Sequence, residues 1–219
     1  MQTDILDFAT DDSFRLKNWQ KHLTDERHNS PYPHANEYVE LDGQRFTRAM
    51  VFAHFQENDA KGVISTIKWG YPKGSLTMGK WQAFSDAFRT KNIVEALNIL
   101  RKNPRSAPET VRLLNGCVKG IGTATTTKIA YFAGLSSTEG RCLIYDSMVR
   151  RTIARGAGDE FSDLSIILNK SLRDLSPQQQ EHTYGIYLKA IHVASRNRGV
   201  SPETIELEMF KKGRELPPR

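Results

Sequence analysis

The chain has 219 residues, 38% of them hydrophobic, which is enough for one domain or two compact lobes around a folded core. Its 31 Lys and Arg residues exceed its 25 Asp and Glu residues, and the net charge of +6 favours a polyanionic partner without establishing one. Its two cysteines, Cys117 and Cys142, are too few for a four-cysteine iron–sulfur cluster or zinc site, and we expect buried thiols in a reducing compartment.

The acidic start of the chain has neither the basic nor the apolar part of a secretory signal, and no apolar run reaches the about 18 residues of a membrane span. We expect a cytoplasmic protein that makes no membrane contact. Residues 1–40 are predicted to form a helix and a polar loop at 22–38, which contains two prolines. Residues 38–46 are expected to form either a short hairpin or an extended lead-in.

Residues 41–105 are predicted to form a helical lobe. The apolar spacing predicts helices at 47–58, 77–90 and 91–103, and a shorter one that begins at Gly62. Glycines and Pro72 break the chain between the helix that begins at Gly62 and the helix at 77–90. Pro104 is expected to end the last helix.

Residues 106–155 contain two helices joined by a tight turn. Ser106 and Glu109 form a predicted capping box before a helix at 107–115, which Gly116 is expected to stop in a left-handed conformation. A second helix is predicted at 123–133, closed by Gly134. In residues 156–219, helices are predicted at 162–175 and at 177–196, the latter with Ser176 as its N-cap, Pro177 at its first position and Gln179 completing the cap. Nearly every element is helical, so the predicted fold class is all-α.

The turn between the two helices, "KGIG", has the residues of a phosphate-binding corner. Gly120 and Gly122 can adopt positive φ and leave room for a phosphate beside the backbone. The following helix would point its first N–H groups and its positive end at that phosphate. Lys119 adds charge, and threonines crowd the first turn of the helix, at 123, 125, 126 and 127. The alternative is an ordinary helix corner in which the glycines only make the turn.

The stretch "KGIGTATTTKIAYFAG" followed by "CLIYDSMVRR" resembles the signature of the helix–hairpin–helix DNA glycosylase superfamily, which includes endonuclease III and the 8-oxoguanine glycosylases. In that pattern a G-x-G turn and a helix precede an aspartate, which is followed by a helix with Val and Arg. Here Asp146 follows Gly122 by 24 residues, slightly more than is usual, and "SSTEG" at 136–140 is expected to absorb the difference. The specific match covers about residues 106–155.

The resemblance implies a two-lobed α-helical fold with the lesion pocket between the lobes and Asp146 as the catalytic carboxylate. A carboxylate in a dry cleft stabilises the positive charge that develops on the sugar as the N-glycosidic bond breaks. Asp146 can equally be a helix N-cap, and the two roles are compatible. Family members with lyase activity carry a lysine two residues after the second glycine, where this chain has Ala124. We therefore expect a monofunctional enzyme that leaves an abasic site. The alternative is a lyase in which the amine of Lys128 takes the place of the family's lysine.

The resemblance also assigns the ligands of DNA and of a cation. No cofactor is required, but a K⁺ or Na⁺ ion is expected at the carbonyls of Gly116, Val118 and Ile121. The residues expected to contact DNA are Lys73, Lys119, Gly120, Gly122, Thr123, Ala124, Thr125 and Arg150.

Base extrusion needs a wedge and aromatic faces. Trp69 and Tyr71 are candidates for the wedge. Tyr184, Tyr187 and His192 are candidates for reading the base, and core packing is the alternative for Trp69 and at least one tyrosine.

The expected partner is double-stranded DNA containing a damaged purine or a deliberately modified base of foreign DNA, so that excision serves either repair or defence. The protein is expected to be a monomer, associated with the nucleoid in a prokaryote. Two other hypotheses remain open. One is a non-catalytic helix–hairpin–helix module in which Asp146 only caps a helix, and the other is a helical regulator or scaffold whose basic charge is incidental.

Overall fold

The computed structural model describes residues 5–9, 14–19, 24–25, 30–31, 38–74, 78–90, 92–171 and 175–217. The predicted all-α class is confirmed, because these residues are mostly helical and their strands are two-residue pairs. No helix in the described ranges is long and apolar enough to cross a membrane.

The chain divides into two compact units. The N-terminal unit comprises Met1–Ile99 and Leu114–Ile121, and the C-terminal unit comprises Leu100–Leu113 and Gly122–Arg219. Within the predicted helix–hairpin–helix segment, 106–155, Leu114–Ile121 belong to the N-terminal unit and the other residues to the C-terminal unit.

The N-terminal unit begins with short elements. They are α1 (Leu16–Trp19), β1 (Thr24–Asp25), β2 (Ser30–Pro31) and a 3₁₀ turn at Val39–Leu41. The antiparallel pair β1–β2 lies within the predicted loop 22–38, much of which is outside the described residues. The 3₁₀ turn replaces the hairpin or extended lead-in predicted for 38–46.

Four longer helices follow in chain order. They are α2 (Arg48–Glu57), α3 (Asp59–Gly70), α4 (Met78–Arg89) and α5 (Asn92–Lys102). Thr47 and Asn58 cap α2 and α3 through their side-chain oxygens. The two helices pack closely because Gly62 has no Cβ, and a Cβ there would lie 2.2 Å from the ring of Phe55. Helices α2, α4 and α5 lie where the sequence predicts them, whereas α3 begins at Asp59, three residues before the predicted start at Gly62.

The next helix is α6 (Ala107–Cys117), which starts at the predicted capping box: Ser106 N–H donates to Glu109 Oε2 at 3.1 Å, and Glu109 N–H to Ser106 Oγ at 3.4 Å. It runs two residues further than predicted, so Gly116 lies inside the helix and does not stop it. The second helix, α7 (Thr123–Phe132), ends one residue before the predicted end at 133, and Gly134 follows its C-cap with a φ of +67°.

The rest of the C-terminal unit, as far as it is described, holds a hairpin, four α-helices and a 3₁₀ turn at Asp159–Phe161. The strands and α-helices are β3 (Ser136–Ser137), β4 (Gly140–Arg141), α8 (Ser147–Ala154), α9 (Ser162–Ser171), α10 (Pro177–Arg198) and α11 (Pro202–Glu215). The β3–β4 hairpin occupies the "SSTEG" stretch that was expected to absorb the longer spacing. The capping box predicted at Ser176 and Gln179 is present at the start of α10. Helix α11 was not predicted.

Candidate active site

Asp146 is the N-cap of α8 and also half of an ion pair. Its Oδ1 accepts hydrogen bonds from the N–H groups of Met148 at 2.9 Å and Val149 at 3.2 Å. Its Oδ2 lies 3.4 Å from Nζ of Lys128, on α7, and the Asp146 side chain keeps 8% of its surface exposed. The carboxylate is therefore fixed through one oxygen, while the other faces a cation.

The backbone before Asp146 is held by three side-chain hydroxyls. Thr127 Oγ1 accepts from Tyr145 N–H at 3.1 Å. The hydroxyl of Tyr184, on α10, donates to the Leu143 carbonyl at 3.1 Å, and the hydroxyl of Tyr187 donates to the carbonyl of the next residue, Ile144, at 3.1 Å. These contacts tie α7 and α10 to the segment that presents Asp146.

The structure does not support a base-reading role for Tyr184 and Tyr187. Both side chains are fully buried, because their hydroxyls are engaged with backbone and their rings pack together with that of Tyr145. The Tyr145 and Tyr187 rings are stacked with centroids 4.8 Å apart. The two residues are core residues that position the segment before Asp146.

His192 lies on the same helix but is half-exposed. Its Nε2 is 3.2 Å from the Arg141 carbonyl oxygen, and its ring occupies the space that a side chain at Gly140 would fill. His192 thus supports the β3–β4 hairpin, and its role in reading a base stays a prediction.

The turn before α7 uses its two glycines differently. Gly120 has a φ of +82°, as expected, whereas Gly122 is extended with a φ of −106°. A Cβ at either position would meet no atom within 4 Å, so open space surrounds this backbone. Gly122 caps α7 without a side-chain hydrogen bond, and Lys119 is exposed beside the turn. Open space and an uncapped helix start are what a phosphate contact requires.

The threonines of α7 point inward. Thr123 and Thr125 are 3% and 6% exposed, while Thr126 and Thr127 are fully buried. The hydroxyls of Thr126 and Thr127 donate to backbone carbonyls one turn earlier, both at 3.3 Å. Any contact that Thr123 makes with DNA would therefore involve its backbone N–H.

Trp69 is not placed as a wedge. It is 2% exposed in the core of the N-terminal unit, and its ring centroid lies 5.8 Å from the guanidinium carbon of Arg48. Tyr71 is half-buried and Lys73 is exposed on the turn after α3. Their assignments as wedge and DNA contact stay predictions.

The predicted cation ligands lie at the end of α6 and in the turn after it. The carbonyls of Gly116, Val118 and Ile121 belong to the N-terminal unit, and carbonyls at a helix C-terminus carry partial negative charge suited to a cation. Among the described residues, no group of three or more His, Cys, Asp or Glu side chains is placed to hold a metal ion. A K⁺ or Na⁺ ion at these carbonyls stays a prediction.

Comparison with known proteins gives a match to one family model. The match covers residues 9–210, and the family is described as "OGG: Putative 8-oxoguanine DNA glycosylase OGG-like protein". No curated protein and no solved structure matches the chain.

Proposed function

The chain belongs to the OGG-like family of DNA glycosylases, and from this we propose that it is a monofunctional glycosylase that extrudes a modified base from duplex DNA and hydrolyses its N-glycosidic bond. The observation that carries the proposal is the placement of Asp146, a largely buried carboxylate held by two backbone N–H groups. The product is an abasic site.

Asp146 has the geometry to act on the sugar through one oxygen. Oδ1 is engaged by the backbone of α8, which leaves Oδ2 to face the substrate and to orient or activate the attacking water. As the bond to the base breaks, positive charge builds on the deoxyribose, and a poorly hydrated carboxylate stabilises that charge more strongly than an exposed one does. Lys128 offsets the cost of burying the carboxylate before the substrate enters.

DNA would be anchored by the backbone around the turn before α7. The uncapped first turn of α7 supports a phosphate contact through the N–H groups of Thr123 and Ala124, with Thr125 and the glycines close by. A K⁺ or Na⁺ ion bound by the carbonyls of Gly116, Val118 and Ile121 would supply further positive charge. In this proposal, the enzyme acts as a monomer.

The substrate is proposed to be a damaged purine, in keeping with the 8-oxoguanine named in the family description. Excision of such a base is a repair reaction. A modified base in foreign DNA is the second substrate class, and release of that base would serve defence. The two substrate classes can be distinguished experimentally. The protein is incubated with a panel of modified duplexes and phage genomes, and the released bases are identified by mass.

The decisive variant is Asp146→Asn. Asparagine caps a helix about as well as aspartate does, so the fold and the start of α8 should persist. Without the negative charge, we expect the rate of abasic-site formation to fall by at least about 100-fold, the scale of losing one electrostatic contact in a transition state. Single-turnover base release and DNA affinity would be measured on the same duplex.

The matched control is Asp163→Asn, which makes the same change at an exposed position in the first turn of α9. It should leave base release unchanged. DNA binding without base release by the wild type would favour the non-catalytic binding module. Equal base release by wild type and Asp146→Asn would show that Asp146 is not the catalytic carboxylate. A protein with no salt-dependent affinity for DNA would favour the regulator or scaffold.

A lyase reaction is the second candidate, because Lys128 contacts Asp146 although Ala124 occupies the family's lysine position. An amine paired as an ammonium has no lone pair to attack the sugar, so we expect no covalent adduct when borohydride is added during turnover. An adduct that is lost in Lys128→Ala but kept in Lys119→Ala would contradict the monofunctional proposal.

A further inference from the structure

Two neighbouring arginines at the start of α8 make very different contacts. Arg151 donates through Nη1 to the carbonyls of Gly213 at 3.1 Å and Leu216 at 3.0 Å. These carbonyls lie at the C-terminal end of α11, where the last turn lacks helical partners. Arg151 therefore has a structural role: it caps α11 and ties it to α8.

Arg150 has no such partner. Within the described ranges, its guanidinium forms no hydrogen bond and no ion pair, and its buried Nε–H has no acceptor. Its guanidinium carbon lies 5.8 Å from the centroid of the Tyr145 ring. A buried donor without an acceptor is costly, and an acceptor that arrives from outside would offset that cost.

The position of Arg150 places that acceptor beside the candidate active site. Arg150 is four residues after Asp146 on α8, so the two side chains lie on the same face of the helix start. Side chains on a helix lean toward its N-terminus, which agrees with the contact between Arg150 and the ring of the residue just before Asp146.

The local charges identify the acceptor as an anion. The carboxylate of Asp146 is already paired with Lys128, and its Oδ1 takes the N–H groups of Met148 and Val149. The N-terminus of α8 therefore has no vacant N–H pair at these positions for a phosphate. Arg150 adds a positive group on this face of α8, and a guanidinium matches the geometry of a phosphate through two parallel hydrogen bonds.

We propose that Arg150 binds a backbone phosphate flanking the nucleotide whose sugar faces Asp146. This inference rests on the proposed glycosylase function. It assigns to the site a contact that positions the strand irrespective of which base is extruded.

The test measures the salt dependence of binding. Wild type, Arg150→Gln and Arg150→Lys are titrated with two duplexes, one carrying a tetrahydrofuran abasic-site analogue and one unmodified, from about 50 to 200 mM salt. Loss of one phosphate contact in Arg150→Gln should reduce the slope of log K against log salt by about 0.9 on the analogue duplex. Arg150→Lys should keep most of the slope, because it keeps the charge.

The matched control is Arg151→Gln, one residue away. It should lower the melting temperature and leave the slope unchanged, whereas Arg150→Gln should leave the melting temperature nearly unchanged. An unchanged slope in Arg150→Gln overturns the inference. The inference is also overturned if Arg150→Gln leaves the slope unchanged and abolishes excision of one modified base but not of another. Arg150 would then read the base.

The two proposals fail separately. If the wild type releases no base from any duplex but the slope falls in Arg150→Gln, the glycosylase proposal fails and the phosphate contact stands. If base release occurs and the slope is unchanged in Arg150→Gln, only the role of Arg150 fails.

Discussion

Asp146 shows how one residue can serve both the fold and the chemistry. Its backbone is extended, with a φ of −96°, which is the conformation that an N-cap requires. The two hydrogen bonds of the cap, from the N–H groups of Met148 and Val149, fix the position of the carboxylate through Oδ1. The second oxygen is then available to pair with Lys128 and, on our proposal, to face the sugar.

The buried segment before Asp146 predicts a loss of stability in alkali. Burial raises the pKa of the Cys142 thiol from an ordinary value of 9.0 to about 12, and that of Tyr145 from 10.0 to about 12; burial also raises the pKa of Tyr184. A group whose pKa is raised on folding stabilises the folded state fully below its unfolded pKa, and this contribution is lost as pH rises through its folded pKa. The free energy of unfolding should therefore fall between about pH 9 and 12, by up to about 1.4 kcal/mol per pH unit for each group.

Urea unfolding at a series of pH values checks this expectation. Cys142→Ala provides the comparison, since it removes one titrating group and should flatten the decline that begins near pH 9. Identical slopes for wild type and Cys142→Ala from about pH 9 to 10 would show that this thiol does not govern the alkaline transition.

At the scale of elements, the docking of α11 on α8 supports the start of α8. Besides the contacts of Arg151, the Thr152 hydroxyl donates to the Met209 carbonyl at 2.7 Å. The sequence offered a signal for α11, because Ser201 and Pro202 repeat the cap-and-proline pattern that correctly predicted α10.

Gly213 is the point where α11 comes closest to α8. A Cβ at this position would lie 2.1 Å from the Met148 carbonyl oxygen and 2.6 Å from its carbonyl carbon, and backbone atoms cannot move aside cheaply. Gly213→Ala should therefore destabilise the protein by about 1–3 kcal/mol. It should also slow base release, because Met148 donates its N–H to Asp146.

Thermal unfolding and single-turnover base release would be measured together for this variant. Gly79→Ala is the matched control: Gly79 is an exposed residue of α4, and a Cβ there would meet no atom within 4 Å. It should be neutral or slightly stabilising, since alanine is the better helix former. Wild-type stability in Gly213→Ala would mean that the contact between α8 and α11 is looser than the structure indicates.

At the scale of the whole molecule, the basic charge and the family agree on the kind of partner. A net charge of +6 favours a polyanion, and membership of a DNA glycosylase family makes DNA that polyanion. The charge alone could not have distinguished a binding protein from an enzyme. The placement of Asp146 beside Lys128 supports the enzyme, and the variants of Asp146 test it.

The sequence by itself determined the helical class, the capping boxes at Ser106 and Ser176, and the position of Asp146 directly before a helix. These features depend on residues within about four positions of one another, so the local pattern contains the information. Helix ends were less certain: Gly116 was expected to stop α6, but the helix continues to Cys117.

The tertiary structure alone decided which side chains meet. Tyr187 could equally have faced a cleft, yet its hydroxyl binds the Ile144 carbonyl in the core, and Lys128 reaches Asp146 from another helix. Nothing local separates Arg150 from Arg151, although one caps α11 and the other has no hydrogen-bond partner among the described residues. Such outcomes depend on burial against segments far away in the chain, and the free energy of that packing is not encoded in any short stretch.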